Sequence, residues 1–403
     1  MSSPENHGPV VHDWAVTALP GTAFDPFPHR LLREEPVARV RLAHGEGHAW
    51  LVTRYEDVRR VASDPRLSRA LTVGRPITST TPHTLAPAGG VGRADPPDHT
   101  RLRKLIAPTF GRRRMTALRE HTRREADRLA LRTLDAGPPA DLAETFVGPL
   151  AASVIVGLLG VPAADLDRVE RWRAGLLSHD TTLPEGESVK KEIAGYFADL
   201  ARHRARHPGD DLVSELAAAR AAGGISTPEL VSMSVMLTLN GLDAVRNIVA
   251  TMVYVLLVHP EQTAKLRADP DRLPRAVDEL LRYIPQRNGV GMPRVATADV
   301  EIGGVTVREG EAVHVFYPAA NRDPAVYTDP DRLDLDRDEA PHLAFGAGAH
   351  YCAGAQLARM EAEVMLSTVL ARFPGLALAT DPESVGWRRG SVNRGPVALP
   401  VTW

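Results

Sequence analysis

The sequence predicts a mostly helical α+β fold in a single domain, on three observations. Helical runs fill most of the chain, and the longest, Thr227 to about Val258, is apolar on nearly every face, as suits a helix buried through a globule. Short alternating segments occur only near residues 37–53, 295–316 and 387–403, too few for a β protein. The third is a glycine-rich loop, Phe345-Gly346-Ala347-Gly348-Ala349-His350-Tyr351-Cys352-Ala353-Gly354. It holds the only cysteine of 403 residues and runs directly into a helical stretch from Ala355 to Leu370. No internal repeat is present.

In chain order, residues 1–30 are rich in Pro and His without periodicity and are expected to wrap the surface. Val37–Leu42 and His48–Thr53 alternate as a hairpin does, and Tyr55–Ser63 reads as a short helix stopped before Pro65. Residues 68–92, dense in Thr, Pro and Gly, are expected to form a lid loop. Asp95-Pro-Pro-Asp-His then opens a helix that places His99 and Arg103 on one face. An amphipathic helix over 113–137, an apolar core helix over 146–159 and a helical pair at 163–178 and 185–206 follow, the pair divided by a second expected lid loop at 179–187.

The long helix is expected to be capped by Thr227, with Pro228 and Glu229 in its first turn, and to span roughly 48 Å at 1.5 Å per residue. Asn240, Asp243 and Asn247 share one face beside Gly241, where glycine costs about 1 kcal/mol relative to alanine. Such a polar stripe is either a satisfied structural network or a helix bent over a ligand. Beyond it, Leu273–Tyr283 carries Glu279 and Arg282 at a pairing distance. Segments 295–307 and 311–316 read as strands, 321–332 as turns, and 387–403 as a final strand pair.

Net charge is −2, hydrophobic content 43% and charged content 24%. These values give no sign of a nucleic-acid partner. A single cysteine excludes an intrachain disulfide and fits a reducing compartment. The first twenty residues lack a basic, apolar signal pattern, and Asn240, Asp243, Arg246 and Asn247 interrupt the most apolar run, so a soluble cytoplasmic protein with no membrane span is expected.

A lone cysteine is most often a small buried hydrophobe. Here it lies at a helix N-terminus, where free N–H groups and the dipole favour a thiolate, and three glycines leave room for a large flat group. Phe345-Gly346-x-Gly348-x-His350-x-Cys352-x-Gly354, followed by Leu357-Ala358-Arg359, resembles the haem-binding loop of cytochromes P450. Three further segments resemble that family in the same order: His99-x-x-x-Arg103; Asn240-Gly241-Leu242-Asp243-Ala244-Val245, against the oxygen-binding motif; and Glu279-x-x-Arg282 with Arg337.

The resemblance implies the P450 fold, a triangular helical prism with small β-sheets. It implies haem b held by Cys352, with Phe345, Gly346 and Gly354 shaping the loop and His99, Arg103, Arg294 and His350 on the propionates. It also implies Asp243, with Asn240, in proton delivery, a pocket lined by Asn240, Ala244, Asn288, Val290 and Val392, and a structural Glu279–Arg282–Arg337 clamp. Ala244 departs from the pattern, which usually has threonine there to support proton delivery. Alanine neither donates nor accepts. A substrate hydroxyl, an ordered water or Asn240 must substitute, or the chemistry is atypical: peroxide-driven, coupling or rearranging.

No motif for a flavin or iron–sulfur cluster is present, so a separate ferredoxin and ferredoxin reductase are implied, with Arg112–Arg114 and Arg359 as candidate contacts. The expected reaction is hydroxylation or epoxidation of a hydrophobic natural-product scaffold: polyketide or macrolide, terpenoid or peptide-derived. Arg246 and Arg287 are each candidates to meet a substrate carboxylate or to be structural. A non-enzymatic accessory protein of this fold is the remaining alternative, against which stands the retained cysteine.

Overall fold

The computed structural model describes residues 10–16, 19–81, 89–177, 182–389 and 391–403. The long helix Thr227–Val258 is its axis. It packs on the helices Gly148–Leu159, Leu183–Arg206 and Ala355–Arg372 and is continuous through Gly241. A Cβ at Gly241 would lie 2.5 Å from Cδ1 of Ile155, so close approach of two core helices, rather than a bend, explains that glycine. The cap is Ser226, one residue before the expected Thr227. Ser226 and Glu229 form a reciprocal capping box, and the Thr227 hydroxyl accepts from Arg220 Nε at 2.6 Å instead. By length and composition this is the one helix among the described residues that could cross a membrane, and 67% of its apolar window is buried inside the protein.

A six-stranded sheet flanks the helices in the order Val11–Asp13, Val37–Arg41, Ala49–Val52, Ala312–Val315, Arg294–Ala296, Leu67–Ser68. Its register decides the chemistry below. Leu67 pairs with Ala296 and Ser68 with Val295, which brings Arg69 opposite Arg294.

Several expected segments are more ordered than their sequence suggests. The described part of residues 1–30 does not merely wrap the surface. It supplies an edge strand, a buried Trp14 whose indole donates to Asp25 at 3.0 Å, and the start of helix Pro26–Glu34. Of the 68–92 loop, bridges from His44 to Ser79 and from Glu46 to Ile77 pin the first half, and residues 82–88 lie outside the described residues. The 179–187 loop is shorter than expected. Thr182 caps a helix that begins at Leu183, and residues 179–181 lie outside the described residues. The final strand pair reduces to a Trp387–Pro396 bridge, with Pro400–Thr402 pairing elsewhere with Ala377–Leu378 and Ala140–Asp141. Pro396 and Pro400 each remove a ladder donor.

Candidate functional site

The cysteine loop is held by backbone geometry that its glycines alone permit. Gly346 and Gly348 adopt φ of +77° and +69°, and a Cβ on Gly348 would lie 2.3 Å from the Ala62 carbonyl oxygen. The Cys352 N–H donates to the Phe345 carbonyl at 2.9 Å, closing the loop just before helix Ala355–Arg372. At the loop entrance Leu343 N–H donates to Asn321 Oδ1 at 2.6 Å. Cys352 has accessible surface, yet burial pushes its thiol pKa up, against the Gly354 N–H and the charges of Arg103, Arg287 and Arg359. It therefore faces a recess rather than open solvent. The helix N-terminus does not by itself favour the thiolate here. A bound metal cation would reverse that balance.

Cations gather around the same recess. Arg294 is 1% exposed, and both terminal guanidinium nitrogens lack a partner among the described residues. Across the sheet, burial and then Arg294 lower the Arg69 pKa to about 9, and its Nε also has no partner among the described residues. The His99 and His350 rings lie 4.4 Å apart. Burial first, then the positive neighbours Arg69, His99, Arg294 and Arg103, push His350 down to about 2, and burial with Arg103 and Arg69 lowers His99. Burial also lowers Arg103, which is drawn back by Cys352. Buried cations without anions are expensive. The recess is therefore built for a group carrying more than one negative charge beside a soft metal centre, and haem b, with two propionates and an iron, fits it.

Behind the loop, Arg282 grips Glu279 through two bonds, 2.6 and 2.9 Å, and donates to the carbonyls of Asn321 and Pro330. Arg337 reaches the same carboxylate at 3.3 Å and the Thr328 carbonyl at 2.7 Å. Arg359 lies over the Phe345 ring at 4.7 Å and donates to Asp278 at 2.6 Å and to the Tyr351 hydroxyl at 3.2 Å. Arg359 is thus a brace of the loop rather than a free docking charge. Arg114 is likewise paired with Asp210 and Glu215, whereas Arg112 and Arg113 are exposed.

Burial would raise the Asp278 carboxyl, but hydrogen bonds from His342 and Arg359 outweigh it and hold the pKa below its ordinary 3.8. Its contribution to stability is therefore present above the unfolded value, about 3.9, and lost as pH falls through the lower folded value. Asp278→Asn is expected to lower the melting temperature at neutral pH and to match the wild type in acid well below that value. Thermal melts across pH check this.

On the long helix the polar face does not act as one unit. Asp243 is buried, with Oδ1 accepting from Arg173 at 3.0 Å and Oδ2 from Asn393 at 2.8 Å. Asn247 donates to the Asp243 carbonyl at 2.9 Å, and the exposed Asn240 donates to the Met236 carbonyl at 2.9 Å. Asn240 and Asp243 are not brought together. Ala244 is half-buried beside them. Arg246 is buried and its guanidinium pairs with Glu144, whose side chain is exposed.

Of the expected pocket residues, Val290 also has apolar neighbours outside the recess. Gly289, at φ +85°, turns the chain so that Val290 packs into a small core with Trp14, Leu31 and Phe316. Asn288 is buried, tethered by its N–H to the Val392 carbonyl at 3.1 Å and by its amide to Ser391 at 3.0 Å, and Val392 is half-buried. Sequence reasoning missed Arg69, Arg173 and Asn393. Sheet register places the first, packing of the helix Leu166–Leu177 on the long helix the second, and the approach of residues 393–395 to the long helix the third, so no local motif marks them.

The chain resembles known proteins along nearly its whole length. The family model Cytochrome P450 matches residues 188–384. Biflaviolin synthase of Streptomyces coelicolor is 44% identical over 395 residues, covering 98% of this chain and 97% of that protein. Nocardicin C N-oxygenase of Nocardia uniformis is 48% identical over 374 residues, covering 93% and 94%. The crystal structure of cytochrome P450mel 107F1 with biaryl coupling reactivity superposes with a TM-score of 0.93 at 43% identity, covering 98% of this chain and all of that one. The chain belongs to the bacterial cytochrome P450 family, haem monooxygenases that bind haem b through a cysteine thiolate.

Proposed function

We propose that this protein is a haem-thiolate monooxygenase that oxidises a hydrophobic secondary-metabolite scaffold. The observation that carries this reading is the shared recess of Cys352 and an unpaired cation cluster. Cys352 would ligate the iron, and His99, Arg103, Arg294 and His350 would hold the propionates. Phe345, Gly346 and Gly354 would shape the loop against the ring. When bound, haem supplies oxygen activation.

The chain's own residues then supply orientation and protons. Asp243 is the one buried carboxylate on the helix beside Ala244, and its two partners fix both oxygens. For it to pass a proton, Arg173, on the helix Leu166–Leu177, must release Oδ1. Ala244 offers no hydroxyl, so a substrate hydroxyl, or a water on the Asn240 amide, completes the path. Electrons would come from a ferredoxin and its reductase, with Arg112 and Arg113 as the free charges for docking.

Turnover with ferredoxin, reductase and isotopically labelled dioxygen tests the reading. Monooxygenation places one labelled atom in the product and the other in water. A second reading, oxidative coupling of two aromatic substrates, is favoured by the missing threonine together with relatives named for biflaviolin synthesis and biaryl coupling. Its product has twice the substrate mass less two hydrogens and carries no label. Ala244→Thr is expected to raise coupling of electron use to product severalfold with a substrate analogue lacking its hydroxyl. No change with any substrate would remove substrate-assisted proton delivery.

A further inference from the structure

We infer that Met236 and Met292 form a peroxide-sensitive pair: hydrogen peroxide released in the recess oxidises their thioethers to sulfoxides, and the oxidised pair weakens binding of a hydrophobic substrate. This deepens the reading above and rests on the recess being the oxygenase site.

The inference begins with exposure. Among the described residues, Met115, Met233, Met252, Met360 and Met365 are buried in the helical core. Met236 and Met292 alone are half-buried. They come from elements far apart in the chain, yet both reach one glycine. A Cβ on Gly92 would lie 3.4 Å from Sδ of Met236 and 3.7 Å from Cε of Met292.

Placement ties the pair to the recess. The Gly92 carbonyl accepts from Nη1 of Arg69 at 3.2 Å, and sheet register sets Arg69 against Arg294. Met292 precedes Arg294 by two residues. Met236, Asn240 and Ala244 follow one another at intervals of four and share one side of the long helix. That helix runs through the interior, so the surface left open along these three residues belongs to the recess.

The oxidant comes from the reaction itself. Dioxygen that takes up two electrons and two protons without reaching a substrate leaves as hydrogen peroxide. Ala244 has no hydroxyl to help deliver protons, which favours this leak whenever no substrate hydroxyl is in place. A sulfur lone pair then attacks one peroxide oxygen, the O–O bond breaks, and the departing hydroxide takes up a proton and leaves as water. Sulfur loses two electrons and peroxide gains them. Each flexible, apolar thioether becomes a polar sulfoxide. A hydrophobic substrate packed on that wall would strip the new oxygens of water without replacing their hydrogen bonds.

The test treats the haem-loaded, substrate-free protein with hydrogen peroxide and maps sulfoxide at each methionine by peptide mass spectrometry. Affinity of the recess is read from the Soret shift given by 4-phenylimidazole, a hydrophobic iron ligand. Met236 and Met292 are expected to oxidise about tenfold or more faster than the buried methionines, because susceptibility follows exposure. Affinity is expected to fall about tenfold, the scale of burying one unpaired polar group. Methionine sulfoxide reductases are expected to restore it. The double variant Met236→Leu, Met292→Leu nearly conserves volume and is expected to hold its own starting affinity through the treatment. Oxidation spread evenly over the methionines overturns the inference. So does an affinity that oxidation of the pair leaves unchanged, or a loss that the reductases do not reverse or the double variant shares. A wild type lacking the thiolate spectrum before treatment would instead strike the haem reading beneath it. The sulfoxide map needs no haem, so the two failures are distinguishable.

Discussion

Cys352→Ser is expected to leave a folded polypeptide that has lost its thiolate-type haem spectrum and whose oxygenase turnover falls to background. Serine is close in size to cysteine, and the loop is held by backbone rather than by the thiol: Cys352 N–H to Phe345, Gly346 N–H to Leu343, and positive φ at two glycines. The thiol itself faces the recess and fills no core site. Folding should therefore be spared, and circular dichroism melts of the haem-free wild type and variant should coincide. A hydroxyl is a poor soft-metal ligand and cannot supply the electron release that a thiolate gives iron. Turnover that persists in C352S would show that another group ligates the iron.

Glu279→Gln carries the second large effect, on stability. The side chains of Glu279 and Arg282 are each 2% exposed and that of Arg337 is 7% exposed. The glutamine keeps the shape and removes the charge that two guanidiniums share. Leaving buried cations unpaired costs about 3–5 kcal/mol, where an exposed pair would cost about 0–1 kcal/mol. The damage should spread, because Glu279 also accepts from the Asp334 N–H at 3.0 Å, and Arg282 holds the Asn321 carbonyl, next to the amide that anchors Leu343. Denaturant melts should show the loss, together with faster haem release. A change under about 1 kcal/mol would mean that the clamp is not a unit.

The parts of this structure that could be read in the sequence are those whose chemistry is local. The cysteine loop, the i, i+3 pair Glu279–Arg282 and the long helix depend on residues close together in the chain. Features that were misplaced or missed depend on distant contacts. Gly241 reads as a bend but is a contact with Ile155. The packing of Val290 with Trp14, next to the left-handed Gly289, joins residues 276 apart in the chain and carries no local signal. Arg69 carries no motif, and only the pairing of Ser68 with Val295 sets it against Arg294. Arg359 reads as a surface charge because Asp278, its partner, is 81 residues away. The Ser226 cap was legible, since Ser226-Thr-Pro-Glu229 is a capping-box sequence, and Thr227 merely lies next to it.

The most direct test of the account is the carbon monoxide difference spectrum of the dithionite-reduced wild-type protein. Ferrous haem ligated by the Cys352 thiolate predicts a strongly red-shifted Soret band. A band at the position given by a neutral ligand such as histidine, or the absence of haem from the purified protein, would contradict thiolate ligation by Cys352 and with it the oxygenase chemistry assigned to this recess.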